Sequence, residues 1–280
     1  MPATEFLDLA EGNRLAYDVT GPSDAPLVIC TPGMGDHRQV YRFLAPQIVA
    51  AGYRVATMDL RGEGESSANW GDYASAASGA DLVALARHLG GGGPAVFVSN
   101  SYSGAASIVA AADTPEVVAG LAMTGPWTRN PPEAGGIKGL AAKAAIFLAG
   151  RITPMWTAYY KSLYKGAKPD DLNGYAKALG ASLREPGRMA ALRGMMAGGH
   201  AAAAAKLASV RCPALIVMGS ADPDFPDPAA EAQWIKQQLA GSGQDTEVVM
   251  LPGCGHYPIA EAPEPTGQAV LTFLAKVHGA

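Results

Sequence analysis

Ser101, Asp222 and His256 are the residues of this chain whose types and surroundings could do chemistry. Ser101 follows the apolar run Ala95-Val96-Phe97-Val98 and precedes the small-residue run Gly104 to Ala110. Ser99 and Ser103 flank it two positions away on either side. That pattern predicts a strand, a sharp turn and a helix with a hydroxyl at the apex. A serine on so tight a turn can hold its oxygen clear of the backbone, where a base can reach it. The plain alternative is a serine that caps a helix N-terminus. His256 stands in Pro252-Gly253-Cys254-Gly255-His256-Tyr257-Pro258, straight after a predicted strand from Glu247 to Leu251. Its ordinary pKa of about 6.5 suits a base at neutral pH. Asp222 comes just past the apolar run Leu215 to Met218. A carboxylate there can fix the imidazole tautomer and stabilise the imidazolium as it forms. Asp224 is a close rival for that role, whereas Asp227, before Pro228, reads as a helix N-cap. The chemistry these residues suggest is nucleophilic acyl transfer.

Acyl transfer also needs donors for an oxyanion. Thr31-Pro32-Gly33-Met34-Gly35-Asp36 joins the predicted strand at Leu27–Cys30 to its helix, and glycines bracket Met34. The backbone amides of Met34 and Tyr102 are the expected pair of donors. An ordinary strand-to-helix turn is the alternative. His37 follows this loop and is expected to line the entrance, while His88, His200 and His278 have no comparable setting.

Alternating elements must position these groups. Strands are predicted at Leu15–Val19, Leu27–Cys30, Arg54–Met58, Ala95–Val98, Val118–Met123, Ala214–Met218 and Glu247–Leu251. Helices are predicted at His37–Ala51, Ala74–Leu89, Ser101–Ala112, Pro228–Leu239 and Pro263–Val277. Such alternation argues for a mostly parallel sheet with helices on both faces, its site loops at the carboxyl ends of the strands. The rhythm breaks between Trp127 and Leu207, where the patterns are helical: Gly139–Leu148, Pro154–Tyr164, Asp171–Leu183 and Met189–Met196. Residues 1–126 and 208–280 are therefore expected to form one core, and 127–207 a helical lid above Ser101. The lid's large apolar groups include Ile146 and Phe147. Trp127, Met155, Trp156, Tyr159 and Met196 are the candidates for lining a substrate pocket, methionine being adaptable in irregular apolar sites. For any one of them, simple core packing is the competing role.

The bulk composition excludes other classes. The chain has 280 residues, 49% hydrophobic and 16% charged, as a well-buried globular protein should. A net charge of −4 without a long basic run argues against nucleic-acid binding. Cys30, Cys212 and Cys254 have no metal-like spacing, and their odd number fits a reducing compartment with buried thiols. No secretory signal opens the chain and no apolar run is long enough to span a membrane, so a cytoplasmic location without membrane contact is expected.

Taken together, these segments resemble the α/β-hydrolase fold family, over nearly the whole chain. Ser, Asp, His is that family's chain order. Asp59-Leu60-Arg61-Gly62-Glu63-Gly64-Glu65-Ser66 matches the Asp-x-Arg-Gly-x-Gly-x-Ser turn of its esterase and lactonase-like branches. An acid three residues after Gly219 supports Asp222, and Gly253 to Pro258, with Glu261 and Pro263 following, resembles the family's histidine loop. The resemblance implies an eight-stranded, mostly parallel α/β sheet with a helical lid inserted after the sixth strand. It implies a serine hydrolase that cleaves a carboxylic ester, thioester or lactone through a Ser101-His256-Asp222 triad. No metal or organic cofactor is called for, and the partner is a small ester-like molecule with an apolar part. Two features depart from the pattern: serines flank the elbow where glycines are usual, and Pro32-Gly33 stands where His-Gly is common. A serine at the elbow argues against the dehalogenase-like and epoxide-hydrolase-like branches, which use aspartate. The same triad also serves C–C bond hydrolysis, hydroxynitrile lyase and perhydrolase chemistry, and the fold serves non-enzymatic receptors. These alternatives stay open, as do the substrate and the oligomeric state.

Overall fold

The computed structural model describes residues 3–90, 93–129, 148, 150–241, 243 and 245–279. Eight strands form one sheet: β1 (Glu5–Asp8), β2 (Arg14–Thr20), β3 (Leu27–Thr31), β4 (Arg54–Met58), β5 (Ala95–Asn100), β6 (Val118–Thr124), β7 (Ala214–Gly219) and β8 (Thr246–Leu251). Their spatial order is β1-β2-β4-β3-β5-β6-β7-β8. β2 runs antiparallel to both β1 and β4, and every pairing from β4 to β8 is parallel. Registers such as Thr31↔Ser99, Asn100↔Thr124 and Gly219↔Leu251 bring the carboxyl ends to a common edge. The loops that carry the candidate residues therefore gather at one end of the sheet.

β3, β5 and β7 are buried along their whole length, which is why they read as unbroken apolar runs. Two hydrophobic clusters cover the two faces. Ile29, Phe97 and Ile216 belong to one, while their neighbours Val28, Val96 and Val217 belong to the other. α2 (Ser75–Leu89) and α3 (Tyr102–Asp113) pack on the first face with α8 (Pro228–Ala240); α1 (Ala45–Ala50) and α10 (Pro263–His278) pack on the second. Asp227 caps α8 by accepting the Ala230 amide at 2.9 Å.

Between β6 and β7 the described chain is helical: α4 (Thr153–Ser162), α5 (Leu172–Ser182), α6 (Arg188–Gly198) and α7 (Ala201–Lys206). The predicted helix Gly139–Leu148, with Ile146 and Phe147, falls almost wholly outside the described residues. A short helix, α9 (Pro258–Glu261), follows the histidine loop. Among the described residues, no helix is long and apolar enough to cross a membrane.

Two elements differ from the sequence reading. The single helix expected from His37 to Ala51 is divided into a 3-10 turn, Arg38–Arg42, and α1. Pro46 explains the break: it has no amide to donate and is tolerated only in a first turn, so a new helix starts around it. β1 has no counterpart among the predicted strands because it is four residues long, lies at the sheet edge and is mostly exposed, leaving little alternation to detect.

Candidate functional site

Ser101 sits between β5 and α3 with φ 55° and ψ −120°, one of two non-glycine residues with positive φ among those described. Such a conformation costs on the order of 1–3 kcal/mol and persists only where the surroundings enforce it. The surroundings here are specific. The Ser101 amide donates to Thr124 O at 3.0 Å, and the Ser101 carbonyl accepts from the Trp127 amide at 3.0 Å. Ser103 Oγ donates to Thr31 O (2.7 Å) and accepts the Asn100 amide (3.0 Å), so the flanking serine ties β3 to the turn. A Cβ on Gly104 would lie 2.9 Å from Pro126 Cβ. A larger residue there would hold α3 away from the segment after β6.

His256 is 2% exposed, and its Nδ1 lies 2.8 Å from Asp222 Oδ2. Asp222, also 2% exposed, accepts the Asp224 amide on its other oxygen at 3.0 Å. The histidine loop is held by Glu261. This buried carboxylate accepts the amides of Gly255 (3.0 Å), Tyr257 (3.2 Å), Lys165 (2.9 Å) and Gly166 (2.7 Å). The His256 amide donates to Leu163 O at 3.1 Å, so the chain just past α4 braces the same loop. Asn100 Nδ2 donates to Thr124 O, to Thr124 Oγ1 and, at 3.3 Å, to the carbonyl of His256. A Cβ on Gly125 would lie 3.3 Å from both His256 Nδ1 and Asp222 Oδ2. The Thr124–Trp127 segment therefore touches Ser101 on one side and the Asp222–His256 pair on the other.

Asp224 lies on the opposite ring nitrogen. Its Oδ2 is 3.5 Å from His256 Nε2, and its Oδ1 accepts the Tyr159 hydroxyl at 2.7 Å. Among the described residues no hydrogen bond joins Ser101 Oγ to His256. The two acids weighed against each other in the sequence thus both meet the imidazole, one on each nitrogen. Burial lowers the pKa of His256, but the charges of Asp222 and then Asp224 outweigh it and push it up to about 9. Burial raises the Asp224 carboxyl, and the His256 charge opposes that rise. Asp222, Asp224 and His256 offer three ligand atoms within 4.8 Å of one another. Zinc ligands at about 2.0 Å from a tetrahedral ion stand about 3.3 Å apart. The 2.8 Å contact is shorter than that and is a hydrogen-bond distance.

The loop after β3 is clamped from two sides. Glu63, 1% exposed, accepts the Gly35 amide at 3.1 Å, and Trp156 Nε1 donates to Gly35 O at 2.9 Å. The His37 amide is taken by Asp36 at 2.8 Å. The Met34 amide comes just before these bonded groups and joins none of these bonds. The Tyr102 amide opens α3, where a helix has no internal partner for it. His37, expected at the entrance, is 9% exposed, with Nδ1 2.9 Å from the Tyr175 hydroxyl.

The pocket candidates fall into different roles. Trp156 is 4% exposed and bonds the Gly35 carbonyl, with its ring 5.4 Å from that of Tyr159. Met155, Tyr159 and Met196 are partly buried against the second core cluster, and Trp127 against the first. Leu60, Tyr102 and Met195 form a small cluster of their own, with Met34 and Tyr73 against it. Sequence reasoning missed His200, whose ring lies 4.9 Å from Trp127 and 5.7 Å from Tyr102. Burial lowers its pKa to about 4, so it is neutral beside the elbow. The Asp59–Ser66 turn is structural. Asp59 accepts the amides of Arg38 (2.7 Å) and Glu65 (2.9 Å), and Arg61 pairs with both oxygens of Asp81 at 2.7 Å.

Comparison with known proteins agrees with this architecture. A stretch of 66 residues is 41% identical to the proline iminopeptidase PfmaB of Pestalotiopsis fici, covering 22% of each chain. This chain therefore spans about a fifth of that relative in the matched region. RutD of Variovorax paradoxus, assigned as a carbamate hydrolase, is 23% identical over 280 residues, covering 94% of this chain and 97% of its own. The crystal structure of a membrane phospholipase A superposes with a TM-score of 0.83 at 20% identity, covering 99% of this chain and 87% of that one. At that identity the likeness is one of fold. The model of the alpha/beta hydrolase family matches residues 28–269, and the chain belongs to that family.

Proposed function

We propose that this protein is a serine hydrolase that cleaves a carboxylic ester, thioester or lactone through an acyl-enzyme on Ser101. One observation carries the reading: a buried His256–Asp222 pair at 2.8 Å lies against Gly125, in the same Thr124–Trp127 segment that is hydrogen-bonded to Ser101 in its strained turn. The similar proteins, an iminopeptidase, a carbamate hydrolase and a phospholipase, support it at the level of hydrolysis.

In this mechanism His256 Nε2 leaves Asp224 for the Ser101 hydroxyl. Such contacts are often long in the absence of substrate and tighten when it binds. Nε2 takes the Ser101 proton as Oγ attacks the substrate carbonyl carbon. The amides of Met34 and Tyr102 hold the resulting oxyanion; one such donor contributes about 3 kcal/mol of transition-state stabilisation. Asp222 keeps Nδ1 protonated and steadies the imidazolium. The bond to the leaving group breaks, and Nε2 hands its proton to the departing oxygen or sulfur. Water then attacks the acyl carbon, giving a proton to Nε2, and Ser101 is released with its own proton restored. Residues 127–207 act as the lid over this centre, between core segments 1–126 and 208–280.

A fluorophosphonate probe and p-nitrophenyl esters of increasing acyl length test this. Labelling at Ser101 and turnover lost in Ser101→Ala are expected. Labelling that persists in Ser101→Ala would refute the assignment.

A further inference from the structure

We propose that Asp224 is a specificity-determining residue that selects substrates whose leaving group carries a positive charge near the scissile bond. This rests on the serine hydrolase reading. Nε2 of His256 is the atom that returns a proton to the leaving group, so a departing group must come within hydrogen-bond reach of it. Asp224 Oδ2 is 3.5 Å from that same nitrogen. Anything that reaches Nε2 therefore also meets the Asp224 carboxylate.

The two oxygens of this carboxylate are in different positions. Oδ1 accepts the Tyr159 hydroxyl at 2.7 Å, which fixes the group in place from α4. Among the described residues Oδ2 has only the 3.5 Å contact with Nε2, too long for a full hydrogen bond. The Asp224 side chain is 14% exposed, against 2% for His256 and none for Asp222. Of the two acids on the imidazole, Asp224 is thus the one with accepting capacity and access. A neutral hydrocarbon placed there would strip water from a carboxylate and return nothing. An ammonium placed there would replace that water with a charge partner. The tyrosine ring beside the carboxylate suits a quaternary ammonium as well.

The charged groups around Asp224 come from three segments: Asp222 beside it, His256 on the loop after β8, and Lys165 past α4. Tyr159 on α4 faces it as a hydrogen-bond donor. Lys165 is the weakest of these influences on the carboxyl. The charge available to a substrate is therefore that of the carboxylate, shared with the imidazole only when His256 is protonated.

A matched pair of thioesters tests the proposal: butyrylthiocholine and its neutral isostere, the 3,3-dimethylbutyl thioester of butyric acid, in which carbon replaces the quaternary nitrogen. Their kcat/KM ratio is measured at constant pH and ionic strength. Because kcat/KM reports the protonation of the free enzyme, the His256 titration before binding is common to both substrates and cancels in the ratio. Wild type is expected to prefer the cation at least tenfold. Asp224→Asn is expected to bring the ratio to about one, and Asp224→Glu, which keeps the charge, to hold it above one. A wild-type ratio of one or below, or a tenfold ratio that survives in Asp224→Asn, overturns the proposal. Turnover of neither thioester also overturns it. Fluorophosphonate labelling of Ser101 in the same preparation tells whether the hydrolase reading falls with it.

Discussion

In the proposed mechanism His256 must lose a proton before it can take one from Ser101, and two carboxylates oppose that loss. With its pKa at about 9, the neutral base is a minority species over the physiological range. At pH 7 it amounts to about 1% of the enzyme, two units below the pKa. The kcat/KM of wild type for a neutral ester should thus climb about tenfold per pH unit between pH 6.5 and 8.5 and level off above about 9. Asp224→Asn removes one of the two charges, 3.5 Å from Nε2. Coulomb's law at that distance gives about 1 kcal/mol in water and about 5 kcal/mol at an effective dielectric of 20. Partial exposure and the Tyr159 hydrogen bond place Asp224 near the lower bound. A loss of about 1.4 kcal/mol is one pKa unit. The midpoint should fall from about 9 to about 8, and the rate at pH 7 should rise about tenfold for a neutral ester. Initial rates from pH 6 to 10, with Ser101→Ala as the blank for spontaneous hydrolysis, read both quantities. A midpoint that stays in place or moves up would mean that Asp224 does not act on the base, and the electrostatic account of the site would be wrong.

Other positions carry further expectations. Glu261→Gln leaves four backbone amides with a weaker, differently shaped acceptor, and should cost about 2–3 kcal/mol in a urea titration together with most of kcat. Trp156→Phe deletes the donor to Gly35 O. It should lower kcat several-fold with KM nearly unchanged, because the oxyanion donor proposed for this loop would act mainly in the transition state. Gly64→Ala would bring a Cβ to 2.2 Å from the Asp59 carboxyl at a φ of 51°, and a fall of several degrees in Tm is expected by calorimetry. EDTA dialysis should leave ester turnover unchanged, because Asp222 and His256 are in hydrogen-bond contact.

The architecture was legible wherever burial is complete. β3, β5 and β7 are covered on both faces, so their apolar runs stand out, and β4 is read to the residue, at Arg54–Met58. The helices α2 and α3 end within a residue of expectation, α2 at Leu89 before Gly90. What escaped is what periodicity does not encode. β1 belongs to the sheet only through its ladder with β2, from Glu5↔Tyr17 to Asp8↔Arg14. The break before α1 turns on one proline inside an otherwise helical stretch.

The site was legible in its parts but not in its electrostatics, and the reason is physical. Local context placed Ser101, Asp222 and His256 at strand ends, because a turn after a buried strand leaves a sequence signature of apolar run and small residues. A triad has one acid, so Asp222 and Asp224 read as exclusive choices. Two residues further along this loop is enough to reach the opposite nitrogen of the same ring. The imidazole thus acquires a carboxylate on each side: 2.8 Å at Nδ1 and 3.5 Å at Nε2. In the proposed mechanism the first of these orients the base, while the second suppresses it until something displaces or neutralises that charge. A leaving group with its own positive charge does both at once, satisfying Asp224 and releasing Nε2 to act. Tyr159, whose hydroxyl holds the second carboxylate, comes from α4, about 65 residues before Asp224 in the chain. No local pattern around residue 224 could have announced that contact.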